Sequence, residues 1–140
     1  MSVYLIDANV ISEIRKGSRA DIGVQAFFQD VQEERVAVFL SVITVGELRR
    51  GVERIRHRGD LQQAERLDHW LTGLLQQYAG HILDITPDIA QLWGHLRVPH
   101  HENALDKFIA ATALSHDLCV VTRNAKDFAN TGIQVLNPFR

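Results

Sequence analysis

Three acids and an amide, Asp7, Glu47, Asp106 and Asn124, stand where the pattern of the chain changes from one kind of element to the next. Asp7 closes the apolar run Val3–Ile6, and Glu47 follows Ser41-Val42-Ile43-Thr44. Asp106 comes just after Asn103, and Asn124 follows the apolar run Leu118–Val121 and Thr122. Carboxylates brought to one place repel one another unless something positive lies between them. Oxygen ligands with no matching set of Cys or His suit a hard divalent cation, Mg²⁺ or Mn²⁺, which keeps several waters and commonly shares its site with phosphates. Such an ion orients and deprotonates water and stabilises the charge that develops in an in-line displacement at phosphorus. The chemistry implied is phosphodiester hydrolysis.

That chemistry requires a scaffold that brings distant acids together. Five apolar, non-alternating runs read as strands covered on both faces: Val3–Ile6, Val36–Leu40, Ile82–Ile85, Leu118–Val121 and Ile133–Leu136. Helical spacing fills the gaps, beginning directly after Asp7 and recurring over Val24–Val31, Val45–Ile55, Leu61–Tyr78, Ile89–Leu96 and Ala104–Leu114. Strand and helix in alternation predict an α/β three-layer sandwich around a parallel sheet of about five strands, in one domain. In such a sheet ligands bind beyond the carboxyl ends of the strands. Asp7, the first turn of the helix that carries Glu47, the first turn that carries Asp106, and Asn124 all fall at that edge.

Each acid taken alone has a structural reading of equal simplicity. Asp7 caps the helix that follows it; Thr44-x-x-Glu47 matches a capping box; Asn103-x-x-Asp106 resembles one. The combination argues against three coincidental caps. A phosphatase of the haloacid-dehalogenase type also starts from a strand ending in Asp, but it requires a second acid two residues later, where this chain has Asn9. A non-catalytic binding module is the rival of a different class.

The stretches LIDANVIS, SVITVGELRRGV, LDKFIAATALSHDLCVVTRNAKDF and IQVLNPF resemble, in order and from end to end, the PIN-domain family, in particular the VapC-type toxins of bacterial toxin–antitoxin pairs and their FitB-like relatives. The resemblance implies a Rossmann-like sheet in the order 3-2-1-4-5 and a Mg²⁺- or Mn²⁺-dependent endoribonuclease. Its implied partners are an RNA substrate, a second copy of the chain and a small VapB-type antitoxin that occludes the site and carries the assembly to promoter DNA. The family's acids match Asp7, Glu47 and Asp106; its fourth position, an Asp in some relatives, is Asn124 here. Asn9 and Thr122 resemble the polar residues that position ligands or water.

Several further residues attract attention. Glu102 lies four before Asp106 and shares its face if the helix starts early, while Asp127 joins the site only if a short helix turns it inward. Arg49, Arg50 and Arg54, in a stretch that also holds Arg56 and Arg58 against the single acid Glu53, are candidates for drawing in RNA or an acidic part of an antitoxin. The His100-His101 pair reads as a surface loop, and Trp70 and Trp93 as packing or interface residues. The 140 residues carry a formal net charge of −2, so any nucleic-acid binding must be local. The lone Cys119 excludes an internal disulfide, and no apolar run approaches the ~18 residues of a membrane span.

Overall fold

The computed structural model describes residues 3–140. The chain runs β1 (Tyr4–Ile6), α1 (Ala8–Ile14), α2 (Ile22–Glu33), β2 (Val38–Ser41), α3 (Val42–His57), α4 (Leu61–Gln77), β3 (Ile82–Leu83), α5 (Pro87–Leu96), α6 (Ala104–His116), β4 (Cys119–Val121) and β5 (Val135–Leu136), with single 3₁₀ turns at Gly17–Arg19 and Ala125–Phe128. All four strand pairs are parallel, and the order is β3-β2-β1-β4-β5. β1 and β4 are therefore central neighbours, with Leu5 opposite Val120 and Ile6 opposite Val121.

Strand alternation divides the core into two. Ile6 and Val121 point to one face, where they meet Val10, Val24, Leu48, Val52 and Leu71 from α1 to α4. Leu5 and Val120 point to the other, against Ile109, Ala110 and Ala113 of α6. Two helical layers thus sandwich the sheet, as the apolar runs predict. Most of the α4 stripe is used inside the chain: Ala64 is buried, Leu71 and Leu74 join the first core, and Leu67 and Trp70 pack beside them. Leu61, at the start of the stripe, stays exposed. No helix among the described residues is long and apolar enough to cross a membrane.

The elements differ from the sequence reading mainly at their starts. Val36 is not in β2; its N–H donates to the Val31 carbonyl (3.0 Å) and closes the end of α2, after Arg35 takes the left-handed conformation. α3 begins at Val42 with no connecting segment, because the Ser41 hydroxyl accepts from the Ile43 N–H (3.0 Å) and caps the helix on the last residue of the strand. Val42, Ile43 and Thr44 have the β-branched character of a strand, yet they form its first turn. Thr86 caps α5 with Pro87 at the first position, as the Thr-Pro pair predicts.

Candidate active site

Asp7 is set by two elements at once. Its backbone N–H donates to the Val121 carbonyl (2.9 Å), extending the contact of β1 with β4 by one residue, and its side chain then caps α1 by accepting from the Ala8 N–H (2.9 Å). The capping role expected for Asp7 is therefore real, but it occupies only one carboxylate oxygen. The other accepts from the Thr122 hydroxyl (2.8 Å) and more loosely from the Asn9 amide (3.4 Å).

Thr122 is fully buried, and its oxygen also accepts from Asn9 Nδ2 (3.2 Å) and from the Asn124 N–H (3.1 Å). A hydroxyl has one proton and two acceptor sites, so Thr122 is saturated and its proton is committed to Asp7. Asn9 in turn accepts the Arg123 N–H (3.0 Å) on its own oxygen, which fixes the orientation of its amide. The loops after β1 and β4 are thereby stitched together around one carboxylate. Asp7 is 4% exposed, and burial pushes its pKa up despite these donors.

Glu47 lies in the second turn of α3, not the first, because the helix starts early. The capping box of Thr44 and Glu47 does not form: Ser41 occupies the cap, and both Thr44 Oγ1 and Glu47 Oε1 are buried without a hydrogen-bond partner among the described residues. Such an atom carries a desolvation cost that a ligand can relieve. Burial, and then the charges of Asp7 and Asp106, raise the Glu47 pKa to about 7, with Arg50 pulling the other way.

Asp106 is in the first turn of α6. The cap imagined for it is also absent, since Asn103 adopts the left-handed conformation and makes no side-chain capping bond. Burial, then Asp7 and Asp127, push Asp106 to about 6, while Lys107 opposes the rise. Three acids from β1, α3 and α6 thus lie within one another's fields at the carboxyl edge of the sheet. Among the described residues, however, no three such side chains are drawn tightly enough to grip an ion as they stand.

The remaining candidates sort unevenly. Asp127, on the 3₁₀ turn after β4, is half-buried and raises both Asp7 and Asp106, so it belongs to the cluster and not to the open surface. Asn124 is exposed; its backbone serves Thr122 and Asp127, and its side chain forms no hydrogen bond among the described residues. Glu102 is outside the site. α6 begins at Ala104, so Glu102 shares no helical face with Asp106, and its carboxylate lies 3.8 Å from both Lys107 Nζ and His100 Nδ1. Lys107 faces neither solvent nor ligand: it is 1% exposed and donates to the Glu102 carbonyl.

Arg49 is not free for a ligand. It pairs with Glu53 (3.2 Å) and with Asp68 of α4 (3.0 Å), and Arg56 holds the other oxygen of Asp68 at 3.0 Å. Arg50 and Arg54 are exposed and enter no ion pair among the described residues. Trp93 is a packing residue, stacked on Phe108 at 4.3 Å with its indole N–H on the Ala104 carbonyl (2.9 Å).

Sequence reasoning missed a concave feature beside the acids. A groove of about 310 Å³ runs from Asn9 and Glu47 over Gly51 and Leu67 to Arg15 and Trp70. At Arg15 and Trp70 it meets a larger one of about 620 Å³, floored by Ile14, Phe28, Val31 and Tyr78. Its lining comes from four helices and a strand, a convergence that no local spacing announces.

The chain matches the family model of the PIN domain over residues 4–134. It is 34% identical to the toxin FitB of Neisseria gonorrhoeae (strain ATCC 700825 / FA 1090), with 98% of this chain and 99% of that protein covered. It is 31% identical to the VapC ribonuclease Y4jK of Sinorhizobium fredii (strain NBRC 101917 / NGR234), with 98% of each covered. It also superposes on a chain of a toxin–antitoxin complex from Klebsiella pneumoniae with a TM-score of 0.65 at 28% identity, over 98% of both chains.

Proposed function

The chain belongs to the PIN-domain family, and on that premise we propose that it is the ribonuclease toxin of a toxin–antitoxin pair, cutting RNA with the help of Mg²⁺ or Mn²⁺. The observation that carries this reading is the gathering of Asp7, Glu47 and Asp106 from β1, α3 and α6 at one edge of the sheet, where burial raises all three and none of them forms an ion pair among the described residues. The donor set fits a hard divalent ion: all oxygen, anionic, with the buried Glu47 Oε1 lacking any other partner. Asp7, Glu47 and Asp106 would hold it, with Asp127 close enough to add charge and Asn124 at the rim.

When bound, the ion supplies a water of lowered pKa and positive charge for the phosphoryl oxygens. The chain's own contribution is positional. Thr122 and Asn9 hold one oxygen of Asp7, and Ala8 holds the other, so the carboxylate meets its ligand with little freedom left to lose. Burial of Asp7 and partial burial of Glu47 and Asp106 lower the local dielectric, which would strengthen their attraction for a cation. Glu47 and Asp106, with pKa values near neutrality, give up protons to accept one.

The same reading places the antitoxin. The groove from Glu47 past Trp70 to Tyr78 is apolar along most of its length and opens onto the acids at one end. A partner segment lying in it would reach Glu47 and deny RNA the ion.

Asp7→Asn removes a charge and almost no volume. The variant should lose at least about 10²-fold in Mn²⁺-dependent RNA cleavage while keeping its circular dichroism spectrum, the scale expected for removing a preorganised electrostatic group. Cleavage at the parental rate would contradict the reading, as would a parent protein inert toward an RNA pool, the outcome expected of a purely binding module.

A further inference from the structure

Helix α3 leaves the acid cluster with an ordered row of cations. Glu47, Arg50, Arg54 and Arg58 follow one another at spacings of three, four and four, which puts them on one face of the helix. The eleven steps from Glu47 to Arg58 span roughly 16 Å at the helical rise. Arg50, Arg54 and Arg58 are exposed and enter no ion pair among the described residues, although Arg50 stands near enough to Glu47 to lower its pKa.

The neighbouring face of the same helix is the opposite case. Arg49 and Arg56 are each bonded to both Glu53 and Asp68, so their charge is cancelled and they fasten α3 to α4. The chain therefore neutralises Arg49 and Arg56 and leaves Arg50, Arg54 and the C-capping Arg58 outside any ion pair among the described residues, in a row that begins beside Glu47. In a molecule of net charge −2 this row is a local positive field and not an overall excess.

The order of the row favours a polyanion with regular spacing. If one phosphate sits at the acids, the adjoining phosphates of the same strand lie at successive steps away from it, and guanidinium groups a turn apart can each take one in a bidentate hold. An acidic protein segment has no reason to start at a cluster of carboxylates. The apolar groove that suits a protein partner uses a different strip of α3, lined by Leu48, Gly51, Val52 and Ile55. We propose that Arg50, Arg54 and Arg58 form a phosphate track that carries single-stranded RNA along α3 away from the acids. The proposal rests on the ribonuclease reading and adds to it the direction in which substrate leaves the site.

The test uses the full chain and a fluorescently labelled single-stranded oligoribonucleotide, with binding read by anisotropy over a salt series and cleavage read separately. The combined variant Arg50→Gln/Arg54→Gln/Arg58→Gln should bind about 10–100-fold more weakly. The slope of log K against log salt should shrink by about 2, since each phosphate contact on a single strand contributes about 0.7. The control Arg49→Gln/Arg56→Gln should melt at a lower temperature and keep the parental salt slope. An unchanged slope in the triple variant overturns the track, as does a triple variant impaired only in holding an acidic protein partner. A parent that binds with the expected slope but never cuts would overturn the ribonuclease reading and leave the track standing.

Discussion

Two sets of acids meet on helix α3, and they are treated in opposite ways. Glu53, with Asp68 from the next helix, faces Arg49 and Arg56; these guanidinium groups hold both carboxyls below their usual range. Six residues earlier on the same helix, Glu47 faces Asp7 and Asp106 and is driven up to about 7, mainly by burial and then by those charges. The first set is self-sufficient and partly open to water; the second, with Asp7 buried and Glu47 and Asp106 half-buried, is incomplete. Where the task is to hold two helices together, the fold supplies the counter-charge from its own sequence. At the second set no ion pair among the described residues supplies the counter-charge, and on the proposed function a cation from outside would supply it.

That contrast can be broken at either end. Removing charge from the incomplete set should help the metal-free protein. Glu47 and Asp106 have folded pKa values above their unfolded ones, so between about pH 4.5 and 7 the folded chain holds protons that the unfolded chain has already lost. Stability of the metal-free protein therefore falls as pH rises through that window. Glu47→Gln should leave the melting temperature unchanged near pH 4 and raise it at pH 8. Allowing for screening in a half-open site, the gain is about 1–2 kcal/mol, or roughly 3–6 °C for a domain of this size. Thermal scans in a chelator across pH would check this, and a lower melting temperature at pH 8 would contradict it.

Removing charge from the complete set should do the reverse and less. Asp68→Asn takes away the acid shared by Arg49 and Arg56, and partly exposed pairs of this kind contribute about 0.5–1 kcal/mol. A fall of a degree or two in melting temperature, shrinking in high salt and with RNA cleavage unaltered, is expected; lost cleavage would show that the pairing belongs to the site after all.

What the sequence disclosed follows the reach of each signal. The β1 acid was legible because a buried apolar run can end only where the strand does, and the sheet rule then assigns its position. Parallel layers were legible for the same reason. Glu47 was placed one turn too early in its helix because Val42, Ile43 and Thr44 look extended; burial of Thr44 and the Ser41 cap outweigh that local preference. Glu102 was paired with Asp106 by helical spacing, which failed once Asn103 took the left-handed conformation and delayed the helix to Ala104. Arg49 looked free because its partner Asp68 lies nineteen positions away on another helix. Asp127 depends on the orientation of a single 3₁₀ turn, which no periodicity encodes. Strand ends and the rule for parallel sheets were readable, and with them the meeting of the three acids; the starting residue of a helix, the orientation of a single turn and a partner on another helix were not.

The proposed chemistry needs one ion shared by acids from β1, α3 and α6. Calorimetric titration of Mn²⁺ at pH 6.5, repeated in two buffers of different ionisation enthalpy, tests it most directly. Near that pH Glu47 and Asp106 are partly protonated, so binding should release protons, and Asp106→Asn should both weaken binding about tenfold or more and reduce the release. Mn²⁺ binding that frees no protons and is indifferent to Asp106→Asn would contradict the shared site.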